Sequence, residues 1–190
     1  MTDDGKNSRK PRADSLRNRD QLLATAKAAF AEQGVDVALE EIARRAGVGI
    51  GTLYRHFPNR DAVIAAVYQR EVDHLIAQGE RLSAEYPAAE ALENWLDLLV
   101  DYLGAKRVVG PALRASDGEG AQVYVSSGGT VIAAYERLVD AARDAGAIRA
   151  DISNEDMRRL LTGLCTGYDQ PGWAQSARRL IGVLLVGLKP

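Results

Sequence analysis

Leu39-Glu-Glu-Ile-Ala-Arg-Arg-Ala-Gly-Val-Gly-Ile-Gly-Thr-Leu-Tyr-Arg-His-Phe57 is the stretch whose reading decides the fold. Leu39, Ile42, Ala43 and Ala46 recur at helical spacing, with Glu40, Glu41, Arg44 and Arg45 between them, so the first half reads as an amphipathic helix. Gly47-Val48-Gly49 breaks it. A shorter helix, Ile50 to Phe57, follows and ends before Pro58, because proline disfavours helical backbone in the residue ahead of it. Helix, glycine turn and short helix form the grammar of a helix-turn-helix. The second helix opens with Gly49, Ile50, Gly51 and Thr52. These small groups allow its N-terminus to approach a phosphate backbone, where unpaired N–H groups and the helix dipole favour an anion. Thr52, Tyr54, Arg55 and His56 then supply hydroxyls, a guanidinium and an imidazole, while Leu53 and Phe57 turn inward as packing residues. The run Gly47 to Gly51 is similar to a dinucleotide loop only in its glycines: it follows a helix, lacks the G-x-G-x-x-G spacing and sits in no βαβ unit.

The runs Ile42 to Gly49 and Gly51 to Phe57 closely resemble the signature of the TetR family of transcriptional regulators. The resemblance extends from roughly Arg19 into the start of the next helix; the remainder resembles the family in length, helicity and layout. It implies an all-α protein of about nine helices, with an N-terminal helix-turn-helix DNA-binding head and a C-terminal helical body for ligand binding and dimerisation. It further implies that Gly51 offers its backbone, that Thr52 and Tyr54 touch phosphate or base edges, and that His56 and Arg60 hold backbone phosphates. Arg55 either reads a guanine through its two-pronged guanidinium or holds a phosphate. One departure stands out. Many family members carry Ser or Thr just before the equivalent of Leu39, where Val37-Ala38 stand here, so the phosphate interaction of that hydroxyl is absent or shifted and Asp36 becomes the expected cap.

Working outward, Met1 to Ser15 shows no apolar periodicity and is expected to be a flexible arm. It overlaps the most basic stretch of the chain, Gly5 to Arg19, and the family resemblance makes Arg9, Lys10 and Arg12 candidate DNA contacts. Residues 16–60 are expected to form the DNA-binding domain and residues 61–190 the regulatory and dimerisation domain. Leu22, Leu23, Ala26, Ala29 and Phe30 mark a first helix stopped at Gly34, and Asn59 is placed to cap a long helix from Arg60 to about Ser83. After Pro87, a helix carrying Leu92, Trp95, Leu96, Leu99, Tyr102 and Leu103 is expected to end at Gly110-Pro111. Asp117 to Gly129 is rich in Gly and Ser and reads either as a helix start or as a mobile loop; helical spacing then resumes from Val131 to Gly146. Ser153 caps a helix bearing Met157, Leu160, Leu161 and Leu164, and Pro171-Gly172 separates it from one bearing Leu180, Ile181, Leu184 and Leu188. Neither strand alternation nor a repeat is visible.

The net charge of −2 hides an asymmetry: residues 1–60 hold 11 Lys and Arg against 8 Asp and Glu, and the remaining 130 hold 13 against 18. The basic end is the candidate polyanion face. Lone Cys165 excludes an internal disulfide, and two histidines, His56 and His74, leave little from which to build a metal site, so no metal or other cofactor is expected. No long charge-free apolar run suggests a membrane span, which leads to an expected cytoplasmic protein with no membrane partner. No nucleophile and base pair or phosphate loop proposes an enzyme. The apolar stripes of the last two helices, Met157, Leu160, Leu161, Leu164, Leu180, Ile181, Leu184 and Leu188, exceed what a terminal helix pair buries alone and are expected to form a homodimer interface. Trp95, Tyr102, Tyr124 and Tyr135 either fill the core or line an effector cavity. The expected partners are double-stranded DNA, a second copy of the chain and a small lipophilic effector; the alternative is a DNA-binding regulator answering to a protein partner instead.

Overall fold

The computed structural model describes the backbone of residues 9–190 and the side chains of residues 14–118 and 120–190. Within them lie eight α-helices and no strand: α1 (Arg9–Gln33), α2 (Leu39–Arg45), α3 (Ile50–His56), α4 (Arg60–Glu85), α5 (Ala88–Ala115), α6 (Glu119–Asp144), α7 (Asn154–Cys165) and α8 (Trp173–Gly187). The helix ends follow local chemistry. Gly34 (φ 83°) and Gly47 (φ 68°) take left-handed backbone that other residues adopt only under strain, and they turn the chain out of α1 and from α2 into α3. Asn59 caps α4 by accepting from Ala62 N at 2.8 Å. Ser153 and Asp156 make a reciprocal capping box on α7.

Three expectations are corrected, and one open reading is decided. Helix α1 already begins at Arg9, so residues 9–15, expected in the arm, form its opening turns; residues 1–8 lie outside the described residues. Pro11 does not prevent this, because an N–H in the first turn has no intrahelical acceptor to lose. Asp36 does not cap α2: the cap position is Ala38, without a side-chain bond. Helix α5 runs through Gly110-Pro111 to Ala115. Pro111 faces outward and removes one bond near the helix end, while Val109, Gly110 and Leu113 are buried and hold the segment helical by packing. Of the two readings open for the Gly- and Ser-rich stretch, the helix start is the one found: it belongs to α6, which starts at Glu119. A Cβ on Gly120 would lie 3.0 Å from Leu113 Cδ2, so the missing side chains there are what lets α6 approach α5. The eight helices among the described residues are close to the expected count of about nine.

Helix α4 is the spine, packing on α1, α5 and α6. Its stripe of Ile64, Val67, Tyr68, Val72, Leu75 and Leu82 is buried, whereas His74 is exposed. At Gly79 the backbone makes room for the Trp95 indole, whose Nε1–H donates to Leu75 O at 3.0 Å. Trp95 stacks on Tyr135 with ring centroids 6.1 Å apart, and the Tyr135 hydroxyl donates to Met157 O at 3.0 Å. Both rings are completely buried with their polar atoms satisfied, so these two of the four aromatic candidates knit the core. Among the described residues, no helix is long and apolar enough to cross a membrane.

Candidate nucleic-acid interface and effector groove

Helix α3 is held from beneath. Leu53 and Phe57 are buried against the first helices, and the Arg19 guanidinium lies 5.4 Å from the Phe57 ring centroid. The opposite edge presents Gly51, Tyr54 and Arg55 to solvent, Tyr54 being 46% exposed, with Thr52 and His56 half-buried beside them. Arg55 is laid along this edge, its Nη2 donating to Thr52 Oγ1 at 2.8 Å and its Nε to Gly51 O at 3.3 Å. A polar cleft of about 400 Å³ between α1 and α3 is lined by Asp14, Ser15, Asn18, Thr52, Arg55 and His56. The arginines of α2 are engaged differently. Arg44 and Arg45 both donate to Glu41, and Arg45 reaches Glu32 at 2.7 Å as well. The hydrogen bonds from Arg44 and Arg45 hold the Glu41 carboxyl down at about 2. The outer face of α2 is therefore nearly neutralised, and the unpaired basic character falls to α3. Arg60 Nη1 donates to Val35 O and Val37 O, both at 2.6 Å, so this guanidinium braces the loop between α1 and α2. Arg9, Lys10 and Arg12 sit in the opening turns of α1, and their side chains lie outside the described residues.

The other two aromatic candidates belong to a polar chain in the body. The Tyr68 hydroxyl shares hydrogen bonds with Tyr102 (2.7 Å) and with Ser127 (2.6 Å), and Ser127 donates to Tyr124 O at 2.9 Å. Burial and the bond to Tyr68 push the Tyr102 hydroxyl above the ordinary phenol range. Tyr124 behaves oppositely. Its burial works to raise it, but the hydrogen bond from Arg114 at 2.8 Å and the Lys106 ammonium, 4.7 Å from the ring centroid, outweigh that and hold it below the ordinary range. Tyr102 also lines a groove of about 360 Å³ between α5, α6 and α7, together with Lys106, Cys165 and Tyr168. Burial pushes the Cys165 thiol up to about 11, which leaves it an unreactive wall residue. The sequence reading does not single out Lys106, Arg114 or Ser127, and it places Tyr68 and Tyr168 only on apolar helix stripes. Of the first three, Lys106 alone left a trace, as a cation between Leu103 and Val109 on an otherwise apolar helix face.

Residues 22–67 match the model of the bacterial regulatory proteins of the tetR family, and residues 87–190, more than half of the chain, match the C-terminal domain described as transcriptional regulator SbtR-like. The chain belongs to the TetR family. The crystal structure of a TetR transcriptional regulator from Streptomyces coelicolor is 44% identical, with a TM-score of 0.77 over 90% of this chain and 98% of that one. A TetR regulatory protein from Mycobacterium vanbaalenii is 31% identical, also with a TM-score of 0.77, over 94% and 99% of the two chains. An HTH-type transcriptional regulator of Staphylococcus aureus is 34% identical over 104 residues, 53% of this chain and 54% of its own length, so the match spans about half of that relative. These relatives are transcriptional regulators, not enzymes.

In this TetR regulator, α7 and α8 pack on one another and on the core with only part of their apolar surface. Met157, Leu161, Ile181 and Leu188, expected in the dimer interface, are buried within the protomer; this half of the expectation is corrected, because those positions point back at the core helices. Leu160, Leu164, Leu180 and Leu184 line an outward apolar groove of about 660 Å³. Val183, which the sequence reading missed, lines it too at 70% exposure, and Val186 beyond it is 69% exposed. A face this apolar is unusual for a surface that meets only water.

Proposed function

We propose that this TetR-family regulator is a repressor that binds a palindromic operator as a homodimer and is released by a small-molecule effector. The observation that carries the reading is α3: a short helix pinned by Leu53 and Phe57, displaying Gly51, Thr52, Tyr54, Arg55 and His56 along one edge. That edge has the size and donor set of a major-groove reading element. Tyr54 and Arg55 touch bases or phosphates, Thr52 and His56 position the helix on the backbone, and the remaining donors of Arg60 reach a phosphate beside the α4 N-terminus. One such helix covers few base pairs, so specificity requires two, about 34 Å apart along the duplex. The outward face of Leu160, Leu164, Leu180 and Val183 would supply that pairing as a four-helix interface. Residues 16–60 then act as the reading head and residues 61–190 as the regulatory and dimerisation body. An effector in the body releases DNA only by binding the non-binding conformer more tightly, since equal affinity for both shifts nothing.

Selection of genomic fragments by the purified protein, followed by footprinting, tests the reading. An enriched palindrome protected on one face of the duplex is expected. Replacing Tyr54 and Arg55 together by Ala should weaken specific binding by about tenfold or more while leaving the melting temperature unchanged. Enrichment of no palindrome, or specific binding that survives the double substitution, rejects it.

A further inference from the structure

We propose that the groove between α5, α6 and α7 binds an organic anion with an apolar body, its acid group seated on the Lys106 ammonium. The proposal rests on the reading of the body as an effector domain and names the chemical class of effector. Among the described residues, Lys106 is the one charged residue in the groove wall, which is otherwise built from apolar side chains such as Leu99, Leu103, Val131 and Leu161 with a few hydroxyls. No Asp or Glu among the described residues lines it, and the acidic residues earlier on α5, Asp97 and Asp101, face Arg178 instead. Lys106 is held by aromatic faces, its Nζ lying 4.7 Å from the Tyr124 and 5.9 Å from the Tyr102 ring centroid. Such faces orient an ammonium without neutralising it.

Three of the four hydroxyls described in the groove wall are already engaged and compete poorly with it as anion donors. Thr162 and Thr166 spend their protons on backbone carbonyls, Arg158 O at 2.9 Å and Thr162 O at 3.0 Å, and Tyr102 is already bonded to Tyr68. A neutral apolar ligand filling the groove would strip water from Lys106 and leave its charge unpaired, and a cationic one would be repelled. A carboxylate instead gains a charge-assisted hydrogen bond at the moment the apolar wall is covered. Positive potential at this end of the groove is reinforced by Arg114, which together with Lys106 holds the Tyr124 hydroxyl below its ordinary range. The occupied groove would also touch Tyr102, and through its hydroxyl Tyr68 of α4, the helix that starts at Arg60 beside the reading edge.

Calorimetric titration of the full-length protein with decanoate and 2-naphthoate, each beside its methyl ester, tests this. The acids are expected to bind about tenfold or more tightly than the esters. Lys106→Gln should erase that preference, and Lys106→Arg should keep it with an unchanged melting temperature. Esters that bind as well as the acids, a preference that survives Lys106→Gln, or no binding of either acid at millimolar concentration overturns the proposal. Operator affinity measured with the same acids separates the two readings: acids that bind through Lys106 yet leave the operator complex intact support the groove assignment and reject release by an effector.

Discussion

At the scale of single residues, close approach and local charge matter more than residue identity alone. Gly79 faces the Trp95 indole so closely that a Cβ would stand 3.1 Å from Nε1, and that nitrogen is tied to Leu75 O. Gly79→Ala should therefore destabilise the protein by about 1–3 kcal/mol, although alanine is the better helix former. Urea denaturation reads this directly, and an unchanged or raised midpoint would mean that the indole can shift. Glu41 offers a test in pH. Held at about 2 by Arg44 and Arg45, against an ordinary 4.5, its ionised form contributes stability that is fully present above the ordinary value and lost as pH falls toward 2. The melting temperatures of the wild type and Glu41→Gln should differ at neutral pH and converge between about pH 4.5 and pH 2; a difference that is constant with pH rules out the carboxylate as its source.

At the scale of elements, α7 and α8 divide their apolar residues between two tasks. Ile181 is buried in the protomer, while Leu180 and Val183 on the adjoining face are 53% and 70% exposed. Leu180→Glu with Val183→Glu is expected to convert the proposed dimer to a folded monomer in sedimentation equilibrium, since two carboxylates would desolvate in the interface but stay wet in the protomer. Ile181→Ala should instead lower stability by about 2–5 kcal/mol through the cavity it leaves. A double variant that remains dimeric sinks the assignment of this face. The periodicity of both helices was legible in the sequence, but the division was not. Leu180 and Ile181 are neighbours of equal hydrophobicity, and only the direction from which α5 packs on α8 decides which of them is covered. Helix α5 makes the same point: Gly110-Pro111 reads as a stop, yet the buried flanks Val109 and Leu113 carry the helix past it.

At the scale of the whole molecule, a basic N-terminal region is joined to an acidic remainder through α4. The opening turns of α1 carry Arg9, Lys10 and Arg12 next to the reading head. Replacing all three by Ala is expected to flatten the dependence of operator affinity on salt, by up to about 0.9 in the log–log slope for each phosphate that these cations no longer neutralise. Fluorescence anisotropy across a potassium chloride series measures it, and an unaltered slope would remove these residues from the interface.

By itself, the sequence determined the helical class, the helix-turn-helix between Leu39 and Phe57, the caps at Asn59 and Ser153, and the family to which the chain belongs. Those features are local: periodicity, glycine punctuation and capping chemistry act over a few residues and leave their trace in the order of amino acids. The tertiary structure decided the rest. It buried Trp95 and Tyr135 while drawing Tyr68, Tyr102 and Ser127 into one hydroxyl chain, engaged Arg60 with Val35 and Val37, and set the Lys106 ammonium in an apolar groove. Tyr68 and Ser127 are 59 positions apart. Contacts at such separations depend on how whole helices cross, and no pattern within a single helix encodes them.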